Sequence, residues 1–158
     1  MDRNSTLGQV KRNSIPEIEI SYRYPVNLTL LPKISTADQA YKALMATWDP
    51  RRLELTEQFK ILLINQSNRL LGIYEVASGA TNAVTADPKL IFAVALKAVA
   101  SAVILAHNHP SGSLEPSPKD ITFTKRVKSG GSILGIQVID HLIVTRDGYL
   151  SMAAQGEF

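Results

Sequence analysis

The residues best suited to chemistry lie in one short stretch, His107-Asn108-His109-Pro110-Ser111-Gly112-Ser113-Leu114-Glu115-Pro116-Ser117-Pro118-Lys119-Asp120. Side chains at i and i+2 of an extended strand point the same way, because they alternate faces with period two. His107 and His109 can therefore present two imidazoles to one divalent ion. Pro110 withdraws a backbone donor and stops the strand, and the Ser/Gly/Pro-rich loop beyond it can turn the chain back to deliver a third ligand, Asp120. Two histidines and one carboxylate, with the fourth position left to water, form the ligand set of catalytic rather than structural zinc.

A hydrolytic zinc (Zn2+) enzyme also needs a base that takes a proton from water activated by the metal, and a donor for the oxyanion that develops. Glu57, at the head of the apolar run Phe59–Ile64, is the expected base, and Ser117 the expected donor. Ser117 is also the natural N-cap of a helix opening at Pro118, a role worth ~1 kcal/mol. Asp120 in the first turn likewise suits the positive helix end. The two readings agree, since a capped, rigid helix start is what a ligand in its first turn requires.

These residues must be positioned by strands and helices, and the sequence marks most of them. Thr36 and Gln39 form a capping-box pair ahead of Ala40, Leu44 and Trp48 at helical spacing, which predicts a short amphipathic helix ending near Asp49-Pro50. Phe59–Ile64 and Leu70–Val76 read as strands joined by the turn residues Asn65-Gln66-Ser67-Asn68, hence a hairpin. After a small-residue connection from Ala80 to Ala86, Pro88 opens a helix, and Ala102–Ala106 reads as a buried strand leading to the histidines. A helix from Pro118 is expected to run through Val127 and stop at Gly130-Gly131. Val138–Val144 and Tyr149–Met152 follow as strands about an Arg146-Asp147-Gly148 turn. Met1–Leu31 shows no helical period, although Ile15, Ile18, Ile20, Tyr22 and Tyr24 fit part of an edge strand. This mixture predicts an α/β (α+β) fold, a mixed and mainly antiparallel sheet flanked by helices. Residues 1–34 are read as an N-terminal extension to a domain over 35–158.

The chain has 158 residues, 45% hydrophobic and 20% charged, which matches one globular domain with a real core. It has no cysteine, so disulfides, thiolate metal sites and cysteine nucleophiles are excluded. That composition suits a reducing cytoplasm. A net charge of +3 with scattered basic residues gives only a weak case for an anionic partner. The apolar run from Leu90 to Ala106 falls short of the ~20 residues of a membrane span and reads as a core helix followed by a core strand. No apolar secretory core is visible in Met1–Asn13.

The pattern His-x-His, seven residues, Ser, two residues, Asp, with a Glu on an upstream strand, resembles the JAMM motif of the JAB/MPN metalloproteases. The fuller string His107-Asn108-His109-Pro110-Ser111-Gly112, with Glu115-Pro116-Ser117 and the later Asp140-His141, is similar to the RadC family of bacterial JAB-domain proteins. The similarity runs from about Glu57 to Met152. It implies a curved sheet clasped by helices, the JAB/MPN (cytidine deaminase-like) architecture. It also implies zinc on His107, His109 and Asp120, with Glu57 as general acid/base and Ser117 as transition-state donor. The implied reaction is hydrolysis of a peptide or isopeptide bond in a peptide or protein substrate. Glu57 is preferred over Glu54, which precedes the strand, and Glu75, which lies inside the next one. The resemblance makes His141 a supporting residue rather than a ligand. The alternatives are a DNA-binding or DNA-processing protein, from the RadC association with repair, and a non-catalytic JAB interaction module. The sequence is silent on oligomeric state.

Overall fold

Residues 27–79 and 86–156 are described by the structure, a computed structural model. After a 3-10 turn at Leu28–Leu30 come α1 (Ala37–Met45), α2 (Pro50–Leu53), β1 (Gln58–Ile64), β2 (Leu70–Ser78), α3 (Pro88–Lys97), β3 (Ala102–Asn108), α4 (Pro118–Leu134), β4 (Gln137–Thr145), β5 (Gly148–Ser151) and α5 (Met152–Gln155). The strands form one sheet in the order β2-β1-β3-β4-β5. Every neighbouring pair is antiparallel except β3 and β4, which run parallel and are joined across α4. The expected mixed, mainly antiparallel sheet flanked by helices is therefore present.

β1 and β3 are buried along their whole length, with apolar runs at Ile61–Ile64 and Ala102–Ala106, because both of their faces are covered. Phe59, Ile61, Leu63, Val103 and Leu105 pack beneath Ile91, Phe92 and Ala95 of α3 and Val127 of α4. Leu62, Ile64, Ile104 and Ala106 point the other way, onto Ala40 and Leu44 of α1, Trp48, and Leu53 of α2. The hairpin turn forms as its residues dictate: the Asn65 side chain accepts from the amides of Ser67 and Arg69, and Asn68 takes the left-handed conformation.

The Thr36 cap holds the start of α1, its hydroxyl accepting from Gln39 N. The reciprocal Gln39 bond goes back one residue further than a standard capping box, to Ser35 N. α1 ends at Met45, short of the expected limit, and Asp49-Pro50 does more than stop it. Asp49 caps a second short helix, with Pro50 at its first position.

The expected stop of α4 at Gly130-Gly131 is wrong: the helix runs on to Leu134 and ends at Gly135, which is left-handed at φ 68°. The paired glycines serve packing instead. A Cβ on Gly131 would collide with the Ile136 carbonyl oxygen, and one on Gly130 would come within 2.9 Å of the Phe92 ring. The last expected strand, Tyr149–Met152, is shifted by one residue to Gly148–Ser151, since Ser151 caps α5 and Met152 begins it. The strand anticipated over Ile15–Tyr24 and the connection at 80–85 lie outside the described residues. Among the described residues no helix is long and apolar enough to cross a membrane.

Candidate metal centre

β3 lies in the sheet between β1 and β4, with His107 near its end and His109 immediately after it. Phe59 is the register partner of His107, so the start of β1 lies beside the end of β3. The backbone of His109 continues the pairing with β4, its N–H donating to Val144 O at 3.0 Å. Beyond the loop, α4 returns Asp120 to the same point. His107 Nε2 lies 2.9 Å from His109 Nε2 and 3.4 Å from Asp120 Oδ1, and His109 Nε2 lies 3.8 Å from Asp120 Oδ2. Among the described residues these three form the one such group of possible metal ligands.

The protons in this cluster follow from acceptors that cannot donate. The Thr124 hydroxyl has one proton and gives it to the Asp120 carbonyl at 2.7 Å. The same oxygen must then accept from His141 Nδ1–H. Neutral His141 is left with a bare Nε2, which accepts from His107 Nδ1–H at 2.8 Å. His107 Nε2 is therefore a lone pair. On the other side, the Ser113 carbonyl accepts from His109 Nδ1 at 2.8 Å, so the Nε2 of a neutral His109 is bare as well. With both rings neutral, two lone pairs 2.9 Å apart beside a carboxylate favour a cation between them.

That charge is hard to supply by protonating the buried rings. Burial pushes His107 down to about 4, with the Asp120 charge opposing and His109 adding to the shift. Burial also holds His141 well below the usual histidine value, with His107 and His109 contributing. Both are neutral at pH 7, the form in which imidazole binds a metal.

Ser117 and Asp120 make a full capping box. Asp120 N donates to Ser117 Oγ at 3.2 Å, and Ser117 N donates to Asp120 Oδ2 at 2.7 Å. The Ser117 hydroxyl donates to the same Oδ2 at 2.6 Å, so in this structure it holds the carboxylate rather than facing the cleft. Asp120 Oδ1 stays directed at His107.

A cleft of about 460 Å³ opens on the cluster, lined by Glu57, His107 and Asp120 together with Phe59, Pro118 and Phe123, and with Lys119 and Arg126 of α4. The structure separates the three upstream glutamates cleanly. Glu54 is exposed and 3.7 Å from Arg146. Glu75 is turned to the opposite face, bonded to Gln58 and near Lys60 and Arg52. Glu57 alone of the three lines the cleft.

Two residues of the centre escaped the sequence reading. Thr124 lies one helical turn after Asp120, a spacing that places it on the same face. Asn108, between the histidines, points to the other face of the sheet by the same period-two rule. As a buried amide there it had to find partners. His141, read as a support, is in hydrogen-bond contact with His107.

Comparison with known proteins identifies the family. The pattern of the RadC-like JAB domain matches residues 34–157. A UPF0758 protein of Flavobacterium johnsoniae is 34% identical over 155 residues, covering 96% of this chain and 66% of the relative. A UPF0758 protein of Carboxydothermus hydrogenoformans is 47% identical over 102 residues, 65% of this chain and 45% of the relative. A UPF0758 protein of Symbiobacterium thermophilum is 41% identical over 108 residues, 68% of this chain and 46% of the relative. The chain spans about half the length of most of these relatives. On the match from 34 to 157, and on the near full-length alignment to the Flavobacterium protein, the chain belongs to the RadC-like JAB domain family.

Proposed function

We propose that this chain is a JAMM-type zinc hydrolase that cuts a peptide or isopeptide bond in a protein or peptide substrate. The observation that carries the reading is the convergence of His107 Nε2, His109 Nε2 and the Asp120 carboxylate on one point. Ligand atoms 2.0–2.2 Å from a tetrahedral zinc lie ~3.3 Å from one another. The two Nε2 atoms are 2.9 Å apart, and the two carboxylate oxygens of Asp120 lie 3.4 Å from His107 and 3.8 Å from His109, a cluster of about the size that one ion needs. Zinc held by His107, His109 and Asp120 supplies Lewis acidity, lowering the pKa of a water and polarising a carbonyl.

The rest is the work of the chain's own side chains. Glu57, on the cleft wall beside His107, takes a proton from the attacking water and returns it to the leaving amine. Ser117 fixes Asp120, and its hydroxyl becomes available to a developing oxyanion only by exchanging that bond. Phe59, Pro118 and Phe123 give the cleft an apolar wall against which a substrate side chain packs while water is displaced.

Metal analysis of protein purified without chelators tests the proposal. About one zinc per chain is expected in the wild type and in Glu57→Gln, with Asp120→Ala nearly empty. A wild-type content near zero removes the reading, and loss of zinc from Glu57→Gln shows that Glu57 has been given the wrong role.

A further inference from the structure

Asn108 is fully buried between the two histidines, with its side chain on the opposite face of β3. Its Oδ1 accepts from Gln58 N at 2.7 Å, and its amide donates to Leu53 O at 2.7 Å and Thr56 O at 2.9 Å. The three partners run from the last residue of α2 (Leu53) through the link (Thr56) to the first residue of β1 (Gln58), and that link carries Glu57. The residues on either side of Glu57 are therefore both bonded to one side chain. Glu57 O is held separately, accepting from Gly79 N at 3.0 Å. The Gln58 side chain is anchored on the α1/α2 face by Trp48 Nε1 at 3.0 Å and Glu75 Oε2 at 2.6 Å. Alternation along the chain then turns Glu57 the other way, into the cleft.

We propose that Asn108 is the positioning residue for Glu57, and that the His-Asn-His tripeptide is a two-sided device. One face of the strand end delivers two ligands, and the other latches the backbone that presents the base. The placing of the base relative to the ligands then depends on this one side chain in addition to the β1–β3 register. The chemistry requires asparagine. Aspartate keeps the acceptor for Gln58 N but sets a charge against two carbonyl oxygens, and alanine takes this partner from two buried backbone groups, Gln58 N and Leu53 O, and from the part-buried Thr56 O. The inference rests on reading Glu57 as the base, and its test has one arm that needs no metal.

In the metal-free protein, hydrogen exchange followed by NMR at the Gln58 amide reads the latch directly. Asn108→Ala is expected to speed that amide by about tenfold, the equivalent of one net hydrogen bond, while amides of β3 and β4 keep their wild-type rates. Asn108→Asp, which retains the acceptor, should protect Gln58 more than alanine does. Unchanged exchange at Gln58 in Asn108→Ala overturns the inference whatever the metal does.

The second arm uses the cobalt-substituted protein, whose visible spectrum titrates with ionisation next to the metal. Asn108→Ala should move the midpoint in the same direction as Glu57→Gln, by about half a pH unit or more. The double variant should match Glu57→Gln alone, because a misplaced base and an absent one are equivalent. A residue with a merely structural role would leave the midpoint in place, and additive shifts in the double variant would equally refute the positioning role. A wild-type chain that takes up no cobalt sinks the zinc reading, and the exchange arm still decides the latch.

Discussion

Thr124→Val is the sharpest probe of the proton order at this centre, because valine keeps the branched shape and removes only the hydroxyl. Thr124 is buried, and its Oγ1 links the Asp120 carbonyl to His141 Nδ1. The substitution leaves a buried imidazole N–H without an acceptor, which costs about 1–3 kcal/mol. Taken as about 2 kcal/mol, that lowers Tm by about 4–8 °C for a chain of this size. The larger effect falls on the metal. His141 can then turn or change tautomer, and His107 loses the acceptor that keeps its own proton on Nδ1 and its lone pair on Nε2. Loss of such a support typically costs 10–100-fold in metal affinity. A competition titration against a chromophoric chelator measures it, alongside long-range 1H–15N NMR of the metal-free protein. The wild type should show both His107 and His141 as Nδ1–H tautomers. Thr124→Ser, which restores the hydroxyl, should recover most of the affinity. Zinc binding by Thr124→Val within about twofold of wild type, or a proton found by NMR on His107 Nε2, would refute the chain of donors from His107 through His141 to Thr124.

Two further outcomes follow from the same structure. Burial lowers the pKa of His107 and His141 below the usual 6.5, so on acidification the unfolded chain takes up protons before the folded one. Stability from these groups is complete above pH 6.5 and declines from there to about pH 4, where His107 protonates in the folded chain. The Tm of the metal-free protein should fall across this window, and a flat profile between pH 7 and 5 would contradict the neutral, buried state of both rings. The glycines of α4 give the other outcome. Gly131→Ala should destabilise by about 3 kcal/mol through overpacking against Ile136, and Gly135→Ala by about 1 kcal/mol through its left-handed backbone. Chemical denaturation measures both, and a reversed order would refute the packing role of Gly131.

The elements were legible where a local rule governed them. Ser117-Pro118 opens α4, Asp87-Pro88 opens α3, and the Asn65–Asn68 turn joins β1 to β2, because caps and turns are satisfied within a few residues. The glycine pair misled for a physical reason. Glycine ends a helix through its backbone freedom, yet it is also chosen where another chain passes too close for a Cβ, and that closeness depends on Ile136 and Phe92. The break between α1 and α2 was half visible: Pro50 announced a boundary but not the short helix it begins.

Of the centre, the sequence by itself determined the donor set. His107 and His109 share a face by strand period, and Asp120 follows at the start of a capped helix, so ligand types and their order along the chain were readable without coordinates. The sequence favoured Glu57 by its place at the head of a strand, and the tertiary structure adds that Glu57, of the three glutamates, lines the cleft while Glu54 and Glu75 face elsewhere. Only the tertiary structure decided the proton order, because His141 and Thr124 reach His107 from β4 and α4 through contacts of 17 and 34 residues' separation. Local pattern specifies what each residue can donate or accept. Partners that distant are specified by sheet register and helix packing, which is why Asn108, flanked by the two most conspicuous residues of the chain, disclosed its role only when α2 and β1 were in place.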